Sequence, residues 1–319
     1  MNLLNPKGDS NLHTHTMYCD GKDSPEELVL RAIELGMTSL GFSGHEYAPQ
    51  DTDFCMSKED TKRYIAEILN LKEKYKDRID IYLGIERDYF GKIDTYPYDY
   101  VIGSLHYVEK DGVLMTVDYT PEAMEENVEK YFGGNYRAYV ERYYEIIGDI
   151  VEKTGATIVG HFDLSTKFNE GNRYFDEEAD WYKEAALQAL RKAAKGKPVF
   201  EINTGAIARG YRTKPYPADF LLEEINRYLG EHCIREHVLF LLNPLWNFCT
   251  EFLKLWLKKI CRTAIYRLHI ADDFLSEIRV DRHWCCTVFS CYHILELFCA
   301  HLVTLTCDNV EHSLCTYNL

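Results

Sequence analysis

Residues 11–36 read NLHTHTMYCDGKDSPEELVLRAIELG, and this stretch decides the fold. A short segment ending in His13-Thr14-His15 gives way to a loop and then to Ser24-Pro25-Glu26-Glu27. That tetrapeptide supplies an N-cap, a proline at the first helical position and a capping-box glutamate, and Gly36 stops the helix. A strand feeding a capped amphipathic helix is one βα unit, and the pattern recurs outward along the chain. Candidate strands are Ser10–His15, Ser39–Ser43, Ile79–Ile85, Tyr100–Leu105, Thr157–Gly160 and Pro198–Asn203, with a seventh apolar run at Val238–Leu242. Ser57 and Thr120-Pro121 open further helices, and others are expected over Asn135–Lys153, Asp176–Lys195 and Pro217–Leu229. Six or seven such units closing into an α/β barrel is the simplest account.

In a parallel barrel the C-terminal ends of the strands carry the chemistry. All five histidines before residue 231 fall at or just past a predicted strand end: His13, His15, His45, His106 and His161. A single histidine so placed is most often a hydrogen-bonded structural residue, but five on one rim are better explained as ligands. His13 and His15 alternate along the first predicted strand, so both should point to one side. Asp20 follows that strand and Glu86 ends the third in IYLGIERD, giving a mixed nitrogen and oxygen set suited to Zn, Fe or Mn. Asp163, in GHFD, reads as a residue that orients a histidine or caps a turn.

Composition divides the chain. The formal net charge is -15, which argues against a nucleic-acid backbone as the main partner. No basic start leads into an apolar stretch and no long uncharged apolar run occurs, so neither a signal peptide nor a membrane span is expected, and the expected location is the cytoplasm. All 19 glycines lie at or before Gly230, whereas nine of the 11 cysteines lie after it. At a usual ~7% glycine, about six would be expected in the remainder. Cys285, Cys286, Cys291, His293, Cys299 and His301 invite a zinc-module reading, but no CxxC pair is present, as structural zinc sites usually require. The expected organisation is a barrel over residues 1–243 and an atypical, cysteine-rich, glycine-free tail over 244–319.

Seven segments together resemble the PHP (polymerase and histidinol phosphatase) superfamily, most closely its histidinol-phosphatase branch. They are NLHTHTMYCDGKDSPEELVLRAIELG, LGFSGHE, YLGIERDY, YDYVIGSLHYV, YFGGNY, IVGHFDLSTKFNE and FEINTGAIARGYRTKPYP, in family order from about residue 10 to residue 229. The resemblance implies a distorted (β/α)7 TIM-like barrel with up to three divalent metals per chain. By position it assigns His13, His15 and Glu86 to a first metal, Glu86, His106 and His161 to a second, and Asp20 and His45 to a third. Glu86 and His161 then carry the catalytic roles. Lys167 and Arg209 match positions where relatives carry phosphate-binding cations, and a solvated surface charge is the alternative for each. The implied reaction is hydrolysis of L-histidinol phosphate to L-histidinol and phosphate, in histidine biosynthesis.

The match breaks at the seventh strand. Relatives finish with an SDAH-like segment that completes the first and third metal sites, but this chain reads VLFLLNPLW over 238–246, with Asn243 and Leu245 near the Asp and His positions. The break follows directly on the last glycine, which reads as a frameshifted or chimaeric C-terminus and implies impaired activity. Two other readings stand beside the leading one: a PHP phosphoesterase acting on nucleotides or oligonucleotides, and a non-catalytic remnant. The sequence is silent on oligomeric state.

Overall fold

The computed structural model describes residues 10–229. Eight strands occur there: β1 (Ser10–Asn11), β2 (Ser39–Phe42), β3 (Asp80–Asp88), β4 (Tyr100–Ser104), β5 (Tyr107–Lys110), β6 (Val113–Thr116), β7 (Ile158–Val159) and β8 (Val199–Phe200). The helices are α1 (Pro25–Glu34), α2 (Lys58–Lys74), α3 (Pro121–Phe132), α4 (Tyr136–Ile147), α5 (Ile150–Thr154), α6 (Asp180–Ala194), α7 (Gly205–Ala208) and α8 (Asp219–Leu229). Six strands form one parallel sheet in the order β1-β2-β3-β4-β7-β8, curled into a half-barrel. The sequence-predicted seventh strand, Val238–Leu242, and the tail over 244–319 lie outside the described residues.

The order follows from burial on both faces. Every residue of β2 and β4, and all of β3 after Asp80, is buried, as parallel strands covered on both sides require. Alternation divides the faces. Ile81, Leu83 and Ile85 of β3 point outward, where they pack with Val29, Ala32, Tyr64, Ile68 and Leu71 of α1 and α2. Tyr82 points inward and joins Leu12, Tyr100, Ile102, Ile158 and Val199. Tyr100 fills this interior because its neighbours lack side chains. A Cβ on Gly84 would lie 2.2 Å from its ring, and one on Gly41 2.5 Å from its hydroxyl. That hydroxyl sits 2.5 Å from the carbonyl of Leu12 and 2.9 Å from that of Phe42, tying the ends of β1 and β2 together. Tyr100 thus fills the interior beneath the rim.

The caps behave as expected. Ser24 and Glu27 form a full capping box on α1, and Ser57 and Thr120 cap α2 and α3. Three expectations need correction. The first strand is a two-residue ladder, so His13 and His15 lie in the loop beyond it. The Asn11 side chain accepts the His13 backbone N–H at 2.9 Å, which takes that donor out of the ladder. The helix expected over Asn135–Lys153 is two helices, α4 and α5, separated by Gly148 and Asp149. Finally, the β5–β6 hairpin was not anticipated. It turns on Asp111-Gly112, both with positive φ (53° and 78°), the conformation that an Asp-Gly pair favours in two-residue hairpins.

Candidate metal centre

The loops after β1, β2, β4 and β7 each deliver histidine to one rim, and β3 delivers Glu86 to its centre. The five imidazoles form a closed ring. Centroids are 5.1 Å apart for His13–His15, 4.5 Å for His15–His45, 5.1 Å for His45–His106, 5.1 Å for His106–His161 and 5.8 Å for His161–His13. Glu86, 1% exposed, occupies the middle. Its Oε2 lies 3.2 Å from His13 Nε2, 3.1 Å from His15 Nε2 and 3.2 Å from His45 Nδ1. Its Oε1 lies 3.2 Å from His161 Nε2 and 3.6 Å from His106 Nε2, and accepts a bond from Ser104 Oγ at 2.5 Å.

Carboxylates outside the ring orient it. Asp20 Oδ1 is 2.7 Å from His15 Nδ1 and 3.9 Å from His45 Nε2. Glu201, directly after β8, places Oε1 2.7 Å from His13 Nδ1 and accepts the backbone N–H of His161 on Oε2 at 3.1 Å. Asp88 accepts the His106 backbone N–H at 2.9 Å and lies 3.4 Å from His106 Nδ1. With Nδ1 of His13, His15 and His106 directed at a carboxylate, Nε2 of each is left facing Glu86.

The electrostatics follow. Burial alone would push the Glu86 carboxyl upward, but the charge of His13, with His13 and His15 directed at its oxygens, holds it well below the usual carboxylate range. Burial likewise opposes charge on His13, yet Glu201 and Glu86 raise it to about 10. For His106, Asp88 and Glu86 outweigh burial and raise it to about 9. His45 goes the other way: burial, reinforced by His15 and His106, depresses it to about 4. The ring therefore combines cationic and neutral imidazoles about one anion.

The donor set fits divalent cations. Glu86 Oε2 is fully buried with three ring nitrogens near it, yet has no aligned hydrogen-bond donor. Such an orphaned anionic oxygen among imidazoles is what a cation bridge would satisfy. Ligand atoms of His13, Glu86 and His161 lie within 4.8 Å of one another, as do those of His15, His45 and Glu86. This grouping pairs the histidines differently from the one the sequence resemblance implies, while keeping Glu86 common to both sets.

A cavity of about 800 Å³ opens over the ring and is also lined by Asp118, Lys167, Asn203, Arg209 and Tyr216. All nine sequence-predicted site residues line it. Lys167 is buried and donates to the Asp118 carbonyl at 2.7 Å, with the Asp118 carboxylate at 3.3 Å. Arg209 is exposed at the end of α7. Among the described residues Asp163 orients no ring. It accepts the Ala218 backbone N–H at 2.9 Å, and burial pushes its carboxyl up to about 7. The sequence reading missed Glu201, Asp88 and Asp118. Glu201 lay inside the predicted strand Pro198–Asn203, whereas the observed strand ends at Phe200 and leaves this carboxylate at the rim.

A model of the PHP domain matches residues 11–205. A Deinococcus radiodurans protein named "Probable histidinol-phosphatase" is 30% identical over 224 residues, covering 66% of this chain and 78% of its own. The histidinol-phosphatase of Bacillus subtilis is 28% identical over 236 residues, covering 66% and 86%. The crystal structure of histidinol phosphate phosphatase from Lactococcus lactis, complexed with zinc, L-histidinol and phosphate, superposes with a TM-score of 0.50 at 22% identity, covering 70% and 83%. Among the described residues, no helix is long and apolar enough to cross a membrane.

Proposed function

The chain belongs to the PHP domain family, and on that footing we propose that it is a metal-dependent phosphomonoesterase of the histidinol-phosphatase type. The reaction is L-histidinol phosphate plus water to L-histidinol plus phosphate. The observation that carries this reading is the closed ring of five imidazoles about the buried Glu86 carboxylate.

His13, His15 and Glu86 would hold one ion, Glu86, His106 and His161 a second, and Asp20 and His45 a third. Zn, Fe and Mn all suit this set, and such ions neutralise phosphate oxygens and lower the pKa of water from 15.7 to about 7. The rest falls to the protein. Glu201, Asp20 and Asp88 fix which ring nitrogen of His13, His15 and His106 faces inward, so the donors need no reorganisation. Arg209, an exposed cation on the cavity wall, is placed to receive the phosphate dianion, and Lys167, which lines the same cavity and is held by Asp118, is the second candidate cation. A net charge of -15 disfavours long polyanionic substrates without disfavouring a small phosphomonoester bound at a cationic centre.

The test is turnover of L-histidinol phosphate beside a panel of nucleoside monophosphates, with metal content measured on the same preparation. Preferential release of phosphate from L-histidinol phosphate is expected. Preferential cleavage of a nucleotide would overturn the substrate assignment, and a metal-replete protein inert toward every monoester would overturn the reaction.

A further inference from the structure

We propose that Cys19 supplies a thiolate ligand at the Asp20 metal position, which makes it a position for a borderline-soft divalent ion such as Zn²⁺, Co²⁺ or Fe²⁺. The inference rests on the metal reading above, but not on the identity of the substrate.

The thiol belongs to a built cluster. Cys19 Sγ, a ring nitrogen of His15 and a carboxylate oxygen of Asp20 lie within 4.8 Å of one another. His45 Nε2, 3.9 Å from Asp20 Oδ1, faces the same group. On that side a Cβ on Gly44, the residue before His45, would sit 3.4 Å from Cys19 Sγ. The loop that brings these donors together is closed by its own backbone. The Thr16 carbonyl accepts the N–H of Cys19 at 3.0 Å and of Gly21 at 3.1 Å. Gly21 allows the closure because a Cβ there would lie 2.6 Å from backbone atoms of His15 and Thr16. The sequence CDG therefore folds back on HTHT, placing sulfur and carboxylate beside the second histidine.

Two observations separate Cys19 from an ordinary half-buried thiol. Its sulfur donates only a weak hydrogen bond, 3.5 Å to the Thr16 carbonyl, and its other polar neighbours are the side chains of His15 and Asp20, the donors of the same cluster. Cys55 is also half-buried, but it joins no potential ligand group among the described residues, and burial drives its thiol pKa far up. Coordination would release the Cys19 proton to solvent as the sulfur–metal bond forms. Thiolate among imidazole and carboxylate shifts preference away from the hard ions Mg²⁺ and Mn²⁺.

The experiment loads the metal-stripped full-length protein with Co²⁺ and reads the near-ultraviolet thiolate-to-cobalt charge-transfer band. The band is expected in the parent and in Cys55→Ser, and is expected to be lost in Cys19→Ser together with at least a tenfold weaker affinity for one ion. A sulfur scatterer at about 2.3 Å from zinc should disappear in the same variant. A parent that fills with cobalt without the band, or a Cys19→Ser protein that keeps it undiminished, overturns the proposal. If Cys19→Ser does not fold, peptide-level alkylation of the parent decides: zinc should slow iodoacetamide labelling of Cys19 but not of Cys55, and equal labelling of Cys19 with and without zinc overturns it. Parent turnover is measured separately, so a protein with the cobalt signature and no phosphatase activity fails the functional reading alone.

Discussion

Glu201 holds His13 by Nδ1 at 2.7 Å while its second oxygen takes the backbone N–H of His161 at 3.1 Å, so one carboxylate just after the last described strand fixes two members of the ring. It is buried, and although burial opposes its charge, His13 and His161 keep its carboxyl below the usual range. This couples the first βα unit to the far edge of the half-barrel.

Replacing Glu201 with alanine should therefore weaken the metal centre and the fold together. Loss of such an orienting carboxylate typically costs 10–100-fold in metal affinity or activity, and the unpaired His161 N–H adds roughly 1–3 kcal/mol of instability. Glu201→Gln keeps an oxygen for His13 and should recover most of the stability but only part of the affinity. Metal titration and thermal unfolding of the three proteins check this. Unchanged metal affinity in the alanine variant would show that His13 needs no partner.

The charge balance of the ring gives a pH signature when ions are removed by chelation. His13 and His106 have folded pKa values raised to about 10 and 9, above the ordinary 6.5. Their stabilisation is complete below pH 6.5 and is lost as pH climbs through 9 and 10. The denaturation midpoint of the metal-free protein should fall between pH 7 and pH 10. Glu86→Gln removes the anion facing both rings and should shrink that fall, while also lowering metal content because the shared ligand loses its charge. A midpoint equally pH-dependent in parent and variant would refute the assignment.

Much of this site was legible because the histidines mark strand ends. LGFSGHE, GSLHYV and GHFD each show an apolar run stopping at a histidine, and β2, β4 and β7 do stop just before His45, His106 and His161. The first strand was overdrawn because Asn11 competes locally for the His13 N–H, an effect that apolar alternation does not register. Glu201 and Asp88 were passed over for a different reason. Each lies one alternation from a residue already on the inner face, Val199 and Glu86, so the period of two was sufficient to find them. Asp111-Gly112 was an overlooked hairpin signal of the ordinary kind.

Two arginines three positions apart in sequence should behave oppositely. Arg209 is exposed on the cavity wall, whereas Arg212 is buried and forks onto Glu177 at 2.6 and 2.9 Å, with the Thr166 carbonyl at 3.0 Å. Arg209→Ala should raise KM for L-histidinol phosphate more than it lowers kcat, since phosphate anchoring acts in the ground state as well. Arg212→Ala should instead destabilise the fold by about 3 kcal/mol, the low end for breaking a buried pair, because Glu177 keeps some exposure. Steady-state kinetics and denaturant unfolding separate the two. A fall in kcat alone for Arg209→Ala would make it a group acting in the transition state.

The last prediction concerns Leu242–Leu245. By the sequence resemblance this segment stands where PHP relatives carry SDAH, yet it offers only the neutral oxygen of Asn243, and Leu245 offers no donor at all. Glu86, His106 and His161 are intact, so the position they share should hold its ion best, and the other two should be weaker. Loss of a direct ligand should cost at least the 10–100-fold that follows loss of an orienting group. Elemental analysis after dialysis should accordingly find fewer than three ions per chain. Grafting SDAH in place of Leu242–Leu245 should raise ion content toward three per chain and, with it, phosphatase turnover by tenfold or more. The coupled rise matters, because a graft that improved only folding would raise yield without changing ions per chain. If the chain as it stands already retains three ions and turns over L-histidinol phosphate near the ~10 s⁻¹ typical of enzymes, the missing donors are supplied by other residues and the graft should change nothing.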